Sequence, residues 1–204
     1  MDEDDVQAQS VIRSKVYQLE YQRNLEKQIN NYMDIIKDMN VTTISDYLNQ
    51  VYSDGFLTQQ YALMRQGVNI TMPINQNLLV KAITFSHDDI PLSTRIYNNV
   101  EKAKTNIIAE ISRGLSIGAS TSDMARNLQN TMGVSVRKSY QLAQNEGQRV
   151  RQSAIMDSMH EAKKKGADIV KQWCATLDGN TRPVHRELDH KWAEIDEKFE
   201  YSGG

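Results

Sequence analysis

Residues 172–192 read QWCATLDGNTRPVHRELDHKW and hold an unusual share of the chain's chemically versatile side chains. They include the single cysteine, Cys174, two of the four histidines, His185 and His190, and both tryptophans, Trp173 and Trp192. Asp178, Glu187 and Asp189 add carboxylates, and Arg182 a guanidinium. Three kinds of chemistry fit such a set. In the first, Asp178 accepts backbone N–H groups inside the DGN turn. Arg182 then makes a bidentate bond to Asp178 or to Glu146 upstream, and His185 caps nearby backbone groups. Glu146, Asp178, Arg182 and His185 would form a structural polar network. In the second, Cys174, His185 and His190 bind zinc with Asp178 or Asp189 as fourth ligand, since zinc favours sulfur and nitrogen donors in tetrahedral sets. Against this stand the lack of a paired Cys-x-x-Cys and the habit of a lone cysteine to act as a small hydrophobe. In the third, a metal-dependent nuclease or other hydrolase uses His185 as base and Glu187 or Asp189 to hold the metal. The zinc-protease helix pattern and a phosphate-cradling glycine loop are both missing. The text GLSIG at 114–118 stands at an expected helix end, not at a strand-to-helix elbow. The structural reading is adopted, with no catalytic residue, metal or cofactor assigned. Trp173, Leu188 and Trp192 are expected in the core of a small fold.

These side chains need elements to position them. Apolar residues recur at three- and four-residue steps through Tyr17, Tyr21, Leu25, Ile29, Tyr32 and Ile36, which predicts a helix over about Val6 to Met39. A second is expected from a Thr42 or Thr43 cap, bending at Gly55 and stopping near Gly67. GVNITMP reads as a loop, 75–86 as a short helix and HDDIPLS as a turn. A helix capped at Ser93 carries Ile96, Val100, Ala103, Ile107, Ile111 and Leu115 and ends in GLSIG. STSDMARNLQNTMG predicts a helix ending at Gly133, and Val136 to KKKG predicts another. After Gly166 the pattern changes. DIVKQWCATL is a strand candidate, DGN a turn, Thr181 a cap for a short helix with Val184 and Leu188, and WAEIDEKFEY a second strand. The expected fold is mainly α, a long helical body with a small C-terminal α+β cap made of a short β-hairpin plus a short helix. The expected divisions are 1–90, 91–166 and 167–204.

Composition narrows the function classes. Among 204 residues 39% are apolar and 25% charged, which supports a folded chain rather than a disordered one. Net charge is −2, so bulk charge does not advertise nucleic-acid binding. Local basic runs remain, and Arg149, Arg151, Lys163, Lys164 and Lys165 are the candidate DNA contacts of an accessory protein. One cysteine excludes an internal disulfide framework. No run is apolar enough for a membrane span, and the start MDEDDVQ is acidic, unlike a secretion signal. A cytoplasmic origin is expected. The ending FEYSGG breaks off after a strand-like run, which leaves a longer natural chain open.

The run AQNEGQRVRQSAIMDSMHEAKKKGADIVKQWCATLDGNTRPVHRELD resembles the tailed-phage head-morphogenesis proteins, also called minor head or minor capsid proteins. The upstream STRIYNNVEKAKTNIIAEISRGLSIGASTSDMARNLQ is similar to the helix pair of the same family, so the likeness covers roughly 93–200. Its signature is helix, strand with Trp, Asp-x-x-x-Arg, then His and Leu-Asp. This chain has Gln144, Asn145 and Glu146 where many relatives carry Arg-Thr-Glu, and His190 where they have glycine. Arg182 and His185 stand where others hold paired cysteines, so an inherited zinc site does not follow. The resemblance implies a low-copy virion protein without enzymatic activity. Such a protein would enter the precursor shell in the host cytoplasm and associate with the portal protein and with capsid or scaffold components. It would support DNA packaging or ejection and end in the head interior or at the portal vertex.

Overall fold

The computed structural model describes residues 3–85 and 89–201, with the side chains of 3–11, 13, 14, 17, 18, 21 and 121 outside the description. The expected contributions of Tyr17 and Tyr21, and part of the HDDIPLS turn, therefore lie outside the described residues. Five helices and two short strands follow in order: α1 Glu3–Arg65, α2 Gln76–Thr84, α3 Leu92–Ser116, α4 Thr121–Lys164, β1 Lys171–Gln172, α5 Pro183–Leu188 and β2 Trp192–Ala193. The mainly helical body and small α+β cap are as expected.

Two expected breaks are corrected. α1 is one helix of 63 residues, where two were anticipated. Thr42 does not cap a new helix, because its hydroxyl donates to the Asp38 carbonyl one turn back and the ladder runs on. α4 likewise passes through Gly133 for 44 residues. The true ends are set by glycines at positive φ. Gly67 has φ +92°, its N–H donates to Met64 O, and Val68 N–H donates to Leu63 O. Gly118 and Gly166 repeat the pattern, which satisfies the last carbonyls of α3 and α4. The starts are mixed. Ser120 Oγ accepts Asp123 N–H at 3.1 Å, and Asn75 Oδ1 accepts Asn77 N–H at 3.0 Å. Pro91, not Ser93, stands at the cap of α3, and Arg182, not Thr181, at that of α5. Pro183 opens α5, where its missing N–H costs nothing.

The chain divides into two units, each built from two stretches of sequence. The first comprises Met1–Tyr47 and Ile83–Glu146. Its α3 buries Leu92, Ile96, Val100 and Ala103, and its α1 segment buries Met33. Gln22 Nε2 donates to Ser112 Oγ at 2.8 Å, and Lys37 Nζ sits 4.3 Å from the Tyr97 ring centre, tying α1 to α3. The second comprises Leu48–Ala82 and Gly147–Gly204. There α1 offers Leu48, Tyr52 and Phe56 at four-residue steps, and α4 offers the smaller Val150, Ala154, Ser158 and Ala162 at the same step. Large side chains against small ones let the helices approach closely. A Cβ on Gly55 would meet Ala154 Cβ and the Arg151 backbone oxygen at 3.3 Å.

Candidate functional site

The cap holds most of the polar residues that the sequence singles out. β1 and β2 pair antiparallel, Lys171 with Ala193 and Gln172 with Trp192. The pairing continues where Trp173 N–H donates to Lys191 O at 2.9 Å and His190 N–H to Trp173 O at 2.8 Å. Between the strands, Asp178 organises the DGN turn. Its Oδ1 accepts Asn180 N–H at 2.9 Å and the Thr181 hydroxyl at 2.9 Å. Those donors, the Thr181 hydroxyl first, hold the Asp178 carboxyl below its usual range. Arg186 Nη2 donates to Asp178 O at 2.9 Å and links the turn to α5. Across the cap, Asp189 Oδ1 accepts Ala175 N–H at 2.9 Å.

Ile169, Leu188 and Ile195 are buried apolar side chains of this cap. Trp173 is half-buried, with the His185 and Phe199 rings each 5.4 Å away. Trp192, expected in the core, is instead 64% exposed. Ile195, in the turn after β2, fills the interior while Trp192 on the strand faces out. Lys171 Nζ donates to Ile195 O at 2.9 Å and to Glu197 O, drawing the last segment over β1.

A hydrogen bond and an ion pair fix this last segment to α4. His160 Nε2 is 2.8 Å from Asp196 Oδ1, and Lys163 Nζ is 2.9 Å from Glu194 Oε2. The bond to Glu194 raises the Lys163 pKa above its ordinary value. Lys164 pairs with Glu161 at 2.7 Å, and Lys165 donates to Thr71 O at 3.0 Å. Arg149 is half-buried and donates to Ala82 O at 2.6 Å, near the C-terminus of α2. Burial pushes its pKa down. Four of the five candidate DNA contacts thus already serve protein partners, and Arg151 is the exposed remainder.

The anticipated network is redistributed. Glu146 is buried and pairs with Arg95 of α3 inside the first unit. Asp178 bonds within its own turn, and the Arg182 and His185 side chains are exposed. The zinc candidates do not assemble: among the described residues no three His, Cys, Asp or Glu side chains are placed to hold a metal. Cys174 is exposed, and His190 Nε2 lies 3.5 Å from Asp189 Oδ2. Sequence reasoning missed Arg95, Tyr52, Asp157, His160 and Asp196. Of these only Tyr52 carried a signal, as a member of the four-residue stripe that makes a core.

Residues 105–203 match the family described as Phage Mu protein F like protein. Over 198 residues the chain is 27% identical to a protein named NAD(+)–arginine ADP-ribosyltransferase EFV from Enterococcus faecalis, covering 96% of this chain and 41% of that one. Over 173 residues it is 28% identical to the minor head protein GP7 of Bacillus phage SPP1, covering 83% of this chain and 54% of that one. The chain therefore spans about half the length of these relatives, or less. No solved structure matches it significantly. Among the described residues no helix is long and apolar enough to cross a membrane.

Proposed function

This chain belongs to the phage head-morphogenesis, or minor head, family, and on that premise we propose that it joins the phage head at the portal vertex and serves DNA packaging or ejection without catalysing a reaction. The coarser statement, a phage head protein that works among other capsid components, follows from the family itself. The observation that carries the finer reading is the outward face of α1. Tyr32, Ile35, Ile36 and Met39 are 67%, 56%, 42% and 63% exposed, at helical spacing. An amphipathic helix docks by such a face into a partner groove, and the portal protein is the partner we assign to it. The test is co-elution of the full chain with the portal protein of the same phage, beside an Ile35→Asp, Met39→Asp variant. Stable co-elution that this variant loses is expected. No co-elution at micromolar concentration removes direct portal docking.

The relative named as an ADP-ribosyltransferase favours a second reading, in which this chain has a part in that activity. The matched segment is under half of that protein and is also shared with a protein named for its place in the head. We assign the shared segment the head role. Incubating the chain with labelled NAD and an arginine-rich acceptor should transfer no label, and transfer would overturn the non-enzymatic assignment.

A further inference from the structure

One cleft on the cap has a chemistry that the head role does not use. It measures about 560 Å3 and is lined by Trp173, Phe199, His185, Arg182, Lys198 and Lys171, with Glu197 among its other residues. Its aromatic side is preassembled. Trp173 meets Phe199 edge to face at 80°, and the imidazole of His185 at 54°. Its cations differ in role. Lys171 is fixed by the Ile195 and Glu197 carbonyls and lies 5.3 Å from the centre of the Phe199 ring. The exposed side chains of Arg182 and Lys198 have no hydrogen-bonding or ion-pair partner among the described residues. Three cations against the single carboxylate of Glu197 favour an anion, and the rings favour a flat, stackable group beside it.

A ligand that is both flat and anionic satisfies each part, whereas an acidic peptide would leave the rings unused and an apolar one the cations. We propose that this cleft binds a nucleoside phosphate, its base against the Trp173–Phe199 rings and its phosphate held by Arg182 and Lys198. Aromatic stacking with nearby cations is the sequence-tolerant means by which proteins hold single-stranded nucleic acid. The source is either a free nucleotide or an unpaired stretch of nucleic acid. This assignment holds whether or not the chain docks on a portal.

The test uses the full chain with Trp192→Phe, a change at an exposed residue that leaves Trp173 as the only tryptophan. Its fluorescence is titrated with adenosine monophosphate, an eight-nucleotide oligothymidylate, the corresponding duplex, inorganic phosphate and a glutamate octapeptide. Saturable quenching by the nucleotide or the oligonucleotide is expected, weakening as salt rises. Equal affinity for both assigns the free nucleotide, and a clear preference for the oligonucleotide assigns the strand. Arg182→Ala and Lys198→Ala should each weaken binding tenfold or more with an unchanged circular dichroism spectrum, and Lys138→Ala, at an exposed residue of the first unit, should leave it unaltered. No saturable quenching up to millimolar ligand overturns the proposal. So does quenching that both alanine variants leave intact, a response to the duplex alone, or an equal response to phosphate or the peptide.

Discussion

Tyr52 and Asp157 meet at 2.6 Å beneath a phenol that is fully buried. Burial first, then the bond and charge of Asp157 and the charge of Glu161, push the phenol pKa well up. A group raised in the folded state stabilises fully below its unfolded pKa, here about 10 for tyrosine, and loses that contribution as pH rises past it. Tyr52→Phe takes the donor from Asp157 and should cost about 1–2 kcal/mol at neutral pH in chemical denaturation. The fall in Tm between pH 7 and 11 should be smaller in the variant. An equal fall in both proteins would assign alkaline loss to other groups. Earlier on α4, Arg149 does for the Ala82 carbonyl what its charge suggested for phosphate. Residue types were legible in the sequence here, but partners were not. A carboxylate such as Glu146 bonds to whichever cation the helix faces bring to it, and that was Arg95, fifty-one positions away.

At the scale of elements, glycine has two meanings that the sequence alone does not separate. Gly67, Gly118 and Gly166 end helices, as their positions after apolar stripes suggested. Gly133 and Gly55 lie within helices, one in the open and one at a crossing. A Cβ on Gly133 would meet nothing within 4 Å, so Gly133→Ala should raise stability by about 0.5–1 kcal/mol through helix propensity. Gly55→Leu should lower it by about 1–3 kcal/mol, because Ala154 and the Arg151 backbone already stand at contact distance. Urea denaturation of the two variants checks both signs, and a destabilised Gly133→Ala would mean that the helix needs its flexibility there. The strands were overestimated for a related reason. Two ten-residue runs looked like β structure, yet the strands cover only Lys171–Gln172 and Trp192–Ala193, with Trp173 extending the pairing by two backbone bonds. The rest of each run is held by side-chain bonds, such as those of Lys171, that alternation does not encode.

At the scale of the molecule, each unit joins a stretch of α1 to a distant stretch of chain, a pairing that reading in sequence order does not reveal. Each unit therefore depends on its own part of α1 in a way that truncation can separate. Removing residues 1–47 takes from the first unit Met33, the Lys37 contact to Tyr97 and the Gln22 bond to Ser112, while 48–204 retains every residue of the second. The apolar stripe of Ile96, Val100 and Ala103 on α3 would lose its α1 partner and become open to water. Limited proteolysis of the truncated chain should therefore cut first within 83–146. Trp173 should keep its near-ultraviolet dichroism, because His185, Phe199 and the polar contacts His160–Asp196 and Lys163–Glu194 all lie within the second unit. Loss of the Trp173 signal together with cleavage within 83–146 would show that the two units fold as one cooperative body. Protection of 83–146 in the truncated chain would instead show that α3 and α4 suffice for the first unit, and would free the 1–47 segment entirely for docking on a partner.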